Sequence, residues 1–206
     1  MCNSPLELWP GRLDCSHPYF AERGINQQTV IDFHLGFSFE EIGTMTSRIV
    51  IPIHNVDGEV VSYAGRWPGE PPAGIPKYLF RSGFKKELEL FNVDRAIRER
   101  PDKPLVIVEG FFDVIKFHQH GYRKVVALMG SSMSTAQEEL IREQGTGRAQ
   151  IIIMLDEDEA GRIGREDIAS RLSKFCFVKV HVFRRPDAQP EGLSAEELED
   201  ILGFAL

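Results

Sequence analysis

At 206 residues, 42% of them apolar, and with a formal charge of −7, the chain has room for one large domain or two small ones and the composition of a folded globular protein. That balance excludes general disorder and a generally sticky nucleic-acid binder, while leaving space for a local basic groove. Cys2, Cys15 and Cys176 are too scattered for a disulfide framework or a paired-ligand zinc site. No apolar run approaches the roughly 18 residues of a membrane span. The opening MCNSPLELWPGRLD lacks the charged start and apolar middle of a signal peptide, so a cytoplasmic location with no membrane partner is expected.

In chain order, residues 1–16 carry Pro5, Pro10 and Gly11 without periodicity and read as an irregular lead-in. His17 to Arg23 and Asn26 to His34 predict two short helices broken at Gly24, with Asn26 capping the second. SRIVIPIH and EVVSYAGR flank NVDG, and the Asp57-Gly58 pair predicts a β-hairpin. The loop WPGEPPAGIP leads into KYLFRSGFKKELELF. Between positions 66 and 86 the basic residues Arg66, Lys77, Arg81, Lys85 and Lys86 face only Glu70, a local excess of +4.

Val93 to Arg100 predicts a helix, and Pro101 to Pro104 a boundary between a subdomain over 17–103 and a second domain over 104–185. From there strands expected at 105–108, 124–128, 150–155 and 178–183 alternate with helices at 111–120, 135–143 and 160–174. Such alternation predicts a parallel α/β sheet. Residues 186–206 read as a loop followed by a short helix, which Ser194 and Glu197 open with a capping box.

Two of these strands end in acid. LVIV runs into Glu109, and IIIML runs into Asp156 and Asp158. The carboxyl ends of parallel strands open onto a ligand crevice, so these three carboxylates are expected to converge there. Residues two apart in an extended segment share a face, which puts Asp156 and Asp158 together and sends Glu157 and Glu159 the other way. Crowded carboxylates repel unless a cation sits among them, and hard oxygen ligands of this kind suit Mg²⁺ or Mn²⁺.

The acid-glycine pair after a strand, the acid four residues on, and D-x-D before Gly161-Arg162 resemble the TOPRIM module of primases, topoisomerases and some nucleases. The similarity extends, block after block, through SRIVIPIHNVDGEVVSYAGR, PKYL, FKKELELF, VEGFFDVIKFHQHGY, LMGSSMS and LDEDEAGR to the catalytic core of bacterial DnaG-type primases. That resemblance implies an α/β fold: a TOPRIM parallel-sheet domain flanked by helices, preceded by a smaller α+β subdomain with a hairpin. It implies Glu109 as the catalytic acid, Asp156 and Asp158 as the metal-holding pair, Asp113 as an acid behind them, and Gly130, Ser131 and Ser132 as the turn beside the metal. Arg48, Arg66, Lys77 and Lys86 match basic residues of the template and nucleotide groove. The implied activity is synthesis of short RNA primers on single-stranded DNA from nucleoside triphosphates, with a helicase or zinc-bearing protein as partner. The sequence departs from that family in lacking its zinc-ribbon and helicase-binding blocks. It also reduces a late acidic motif to RPDAQPEG, where Asp187 and Glu191 remain.

Two rival readings use the same residues. A TOPRIM nuclease would turn the acids and metal on water instead of a sugar hydroxyl, and a non-catalytic remnant would bind template or nucleotide and regulate a partner. Arg162 and Arg165 read either as a phosphate hook or, the reading preferred, as the solvated side of a helix. His118 and His120, two apart on a helix, diverge and are not expected to bind metal.

Overall fold

The computed structural model describes residues 2–7, 11–39, 45–144, 150–183, 185 and 188–203, in two units, Met1–Lys85 and Lys86–Leu206. In the first, five strands pair in sequence order as an antiparallel meander: β1 (Leu13–Asp14), β2 (Gly36–Ser38), β3 (Ile49–His54), β4 (Val60–Arg66) and β5 (Tyr78–Phe80). The Asp57-Gly58 hairpin forms as expected. Asn55 Oδ1 accepts from the N–H groups of Asp57 and Glu59, and Gly58 takes the positive φ of 86° that the turn requires.

Between β1 and β2 lie α1 (Tyr19–Glu22) and α2 (Gln27–Asp32). Asn26 caps α2 by accepting from Thr29 N at 2.8 Å. β1 and β2 were not expected from the sequence, because a two-residue and a three-residue strand carry too few side chains to show a period of two. Gly36 allows their pairing, since a Cβ there would lie 2.5 Å from Leu13 Cβ.

The second unit holds α3 (Val93–Ala96), β6 (Leu105–Val108), α4 (Phe111–Gln119), β7 (Val125–Ala127), α5 (Thr135–Gln144), β8 (Ile151–Ile153), α6 (Glu159–Leu172), β9 (Val178–Val180) and α7 (Ala195–Leu202). Among its described residues, four strands pair in parallel, in the order β7-β6-β8-β9. Every residue of β6, β7 and β8 is buried. That explains their unbroken Val, Ile and Leu runs, each side chain contributing about 1.5–3 kcal/mol by leaving water.

The division between units falls at Lys85 and not near 103. Residues 86–103 join the second unit because Phe91 exchanges two backbone hydrogen bonds with Ala127, and α3 packs on β7. The basic run is thereby divided, with Lys77 in the first unit and Lys86 in the second. No helix among the described residues is long and apolar enough to cross a membrane.

Candidate active site

Because β7, β6 and β8 are adjacent and parallel, the residues that follow them emerge along one edge of the sheet. Glu109 follows the middle strand, Gly130 follows β7, and Asp156 follows β8. Ladder hydrogen bonds run past the strand ends: Leu128 N donates to Val108 O, Gly130 N to Glu109 O, and Met154 N to Ile107 O. The next rung on the β8 side ends on a side chain, with Asp156 N donating to Glu109 Oε1 at 3.1 Å. Backbone pairing thus fixes the Glu109 carboxylate beside Asp156.

Asp158 caps α6, its Oδ1 accepting from Gly161 N at 2.7 Å, and Asp156 Oδ2 accepts from Gln189 Nε2 at 3.1 Å. Glu109 and Asp156 are half-buried and Asp158 is exposed. Burial, and then the neighbouring carboxylates of Asp156 and Asp158, push Glu109 up to about 7, against the pull of the Asp156 N–H. Glu109, Asp156 and Asp158 are therefore electrostatic neighbours. Among the described residues, however, no three acids, histidines or cysteines gather tightly enough to hold a metal as they stand. Each of the three carboxylates is turned toward an N–H donor.

Asp113, in the first turn of α4, is buried; its Oδ2 accepts from Gly110 N at 2.8 Å and its Oδ1 from Glu191 N at 3.0 Å. Burial first, and then the Asp156 carboxylate, raise it well above the ordinary aspartate range. It ties the Glu109-Gly110 turn to the segment after residue 188. Asp187 of the acidic motif lies outside the described residues, while Glu191 is placed here by its backbone.

The turn expected at Gly130, Ser131 and Ser132 stands at the same edge. Lys86 Nζ donates to Met129 O at 2.9 Å, and Ser131 O faces α6 at Gly164. Arg171 reaches in from α6 to donate to the carbonyls of Met133 and Ser134 and to Glu138. Two glycines make the close approach possible. A Cβ at Gly164 would lie 2.0 Å from Ser131 O, and one at Gly161 would lie 2.2 Å from Asp156 O and 2.8 Å from Glu109 Oε1. Backbone oxygens cannot swing aside, so Gly164→Ala and Gly161→Ala are each expected to destabilise by about 1–3 kcal/mol or more, measured by urea unfolding.

Glu157 points away from Asp156, as the two-residue alternation predicts. It meets Arg165, which is buried and not solvated as its sequence context suggested. Arg165 donates to both Glu157 oxygens, at 2.6 and 2.8 Å, and Glu157 Oε2 also accepts from Phe183 N. Glu157 N in turn donates to Ala188 O. The acidic turn is therefore braced from α6 and from the chain beyond β9.

The basic residues divide differently. Arg48 and Arg66 are 4% and 6% exposed and engaged inside the first unit. Arg48 donates to Gly65 O and Lys77 O and lies over the Trp67 ring, while Arg66 lies over Tyr19 and Tyr78 and donates to the Tyr19 hydroxyl. Lys77 is exposed.

A pH dependence follows from Glu109. The folded chain holds its proton more tightly than the unfolded chain does, so its contribution falls as pH rises from about 4.5 to about 7 and is level outside that window. Glu109→Gln keeps the acceptor for Asp156 N but removes the charge. Thermal melts without added divalent cation are expected to show a smaller loss of Tm across that window in the variant than in the parent.

Comparison with known families matches residues 103–183 to the Toprim domain. The chain is 32% identical over 178 residues to a DNA primase of Rickettsia felis, covering 69% of this chain and 29% of that protein. It is 34% identical over 169 residues to a DNA primase of Geobacillus stearothermophilus, covering 79% and 26%. It thus spans less than a third of the length of these relatives. Among solved structures, the zinc-binding and RNA polymerase domains of Aquifex aeolicus primase superpose with a TM-score of 0.76 at 24% identity, covering 90% of this chain and 54% of that one. The RNA polymerase domain of Mycobacterium tuberculosis primase gives 0.73 at 23% identity, covering 92% and 75%. Residues 103–183 thus match the Toprim domain, and the chain's fold is that of the catalytic core of bacterial DnaG-type primases.

Proposed function

We propose that this chain is a metal-dependent nucleotidyltransferase core that makes short RNA primers on single-stranded DNA from nucleoside triphosphates. The observation that carries this reading is the hydrogen bond from Asp156 N to Glu109 Oε1, which joins the acids following two adjacent parallel strands, with Asp158 two residues further on. The donor set fits Mg²⁺ or Mn²⁺: all its atoms are carboxylate oxygens, and mutual repulsion favours a cation among them. Glu109, Asp156 and Asp158 would hold that ion. When bound, it lowers the pKa of the attacking 3′-hydroxyl and neutralises charge on the transferring phosphate.

The protein's own residues do the positioning. The Arg165–Glu157 pair and the capped start of α6 hold the acidic turn, and Asp113 holds the Glu109-Gly110 turn from behind. Lys86 brings positive charge to the Gly130 turn, suited to a triphosphate. In the first unit we assign phosphate contact to exposed Lys77. Arg48 and Arg66 act there by stiffening the sheet through aromatic and carbonyl contacts.

Incubation with labelled ribonucleotides, Mn²⁺ and a single-stranded DNA template tests the proposal. A ladder of short ribonucleotide products is expected. Shortening of the template would identify a nuclease, and template retention without product would identify a binder.

A further inference from the structure

Residues 188–192 lie at the acidic edge and are pinned there at two backbone points, Glu157 N to Ala188 O and Glu191 N to Asp113 Oδ1. Pro190 is buried between them, and the short helical turn Pro190–Gly192 packs on α4. Pinning on both sides presents the Gln189 side chain to the edge, and its Nε2 donates to Asp156 Oδ2. We infer that Gln189 is an affinity-setting residue of this site: its amide competes with a divalent cation for Asp156 and must release that oxygen when the cation binds. This rests on the reading of Asp156 as a metal ligand.

The chemistry favours competition over cooperation. An amide N–H is a neutral donor, and it occupies one of the two Asp156 carboxylate oxygens at hydrogen-bond distance. The strap is fixed through its backbone, so the side chain can rotate away without undoing the fold. The cost of rotation is the hydrogen bond to a charged acceptor, which metal binding has to offset. Gln189 is exposed, so it contributes little packing, and its removal leaves the two pinning bonds in place.

Calorimetric titration of the whole chain with Mn²⁺ tests this. Gln189→Ala and the near-isosteric Gln189→Leu are both expected to bind Mn²⁺ about three- to tenfold more tightly than the parent, the loss of one solvent-exposed hydrogen bond. Circular dichroism melts check that both variants stay folded. In the parent, the Gln189 side-chain amide resonances are expected to move on saturation with diamagnetic Mg²⁺, a change that a purely structural residue would not show. Unchanged or weaker Mn²⁺ binding in both variants, or unmoved resonances, overturns the role of Gln189 while leaving the metal site standing. Parent binding that is absent, or that Asp156→Asn does not reduce, overturns the metal site and this inference together.

Discussion

Replacing Asp156 and Asp158 together with asparagine is expected to weaken Mn²⁺ binding by about a hundredfold or more, beyond the loss usual for residues that merely support a metal ligand. Primer synthesis should fall by at least a comparable factor, because nucleotidyl transfer depends on charge neutralisation at the phosphate. The fold should survive. Asparagine is as good an N-cap as aspartate, so position 158 can still accept from Gly161 N, and an asparagine carbonyl at 156 can still accept from Gln189. With both charges gone, two of the causes that raise Glu109 disappear, and its titration should move down toward the ordinary glutamate range. Unaltered Mn²⁺ affinity by calorimetry in this double variant would remove both residues from the metal site.

The second large effect concerns stability. Arg165→Met is expected to cost about 3 kcal/mol, because removing one member of a buried, doubly hydrogen-bonded ion pair strands the other. The side chains of Arg165 and Glu157 are 6% and 20% exposed, so water compensates only partly. Restoring neutrality should recover part of the loss: in Arg165→Met with Glu157→Gln, no charge is stranded, and an amide oxygen remains to accept from Phe183 N. Arg165 holds Glu157 below the ordinary glutamate range, so the pair stabilises the parent fully above about pH 4.5 and fades as pH falls below it. Urea unfolding of the two variants at neutral and acid pH measures both effects. A neutral result for Arg165→Met would mean that the acidic turn is held without this pair.

The second unit was largely legible in the sequence because its signals are coarse. Buried parallel strands are unbroken apolar runs, and the helices between them are long enough to show a period. The positions of Glu109 and Asp156 followed from parallel topology, since residues ending adjacent strands must share an edge. Arg165 was misread as solvated although the signal was present: Gly161, Gly164, Arg165, Ile168 and Leu172 share one helical face, and all five are buried. A buried arginine on that face needs an acid, and Glu157 supplies it.

Other features left no local trace. β1, β2 and β5 are short and form only through their neighbours. Gln189 lies 33 residues from Asp156, and no spacing rule links them. The basic matches at Arg48 and Arg66 suggested a charged surface, yet both guanidinium groups lie against aromatic rings within the first unit. Sequence shows a charge but not which way it faces. Lys86 stood at the end of the basic run, and its place by Gly130 depends on the return of residues 86–91 alongside β7.

The claim that Glu109, Asp156 and Asp158 share one divalent ion is tested most directly by soaking crystals of the chain in Mn²⁺ and collecting anomalous diffraction. A single strong anomalous peak within bonding distance of carboxylate oxygens from all three residues, with the Gln189 amide turned off Asp156, is the predicted result. A peak bound elsewhere on the molecule, or carboxylates that keep their contacts to Asp156 N, Gly161 N and Gln189 at saturating Mn²⁺, would contradict it.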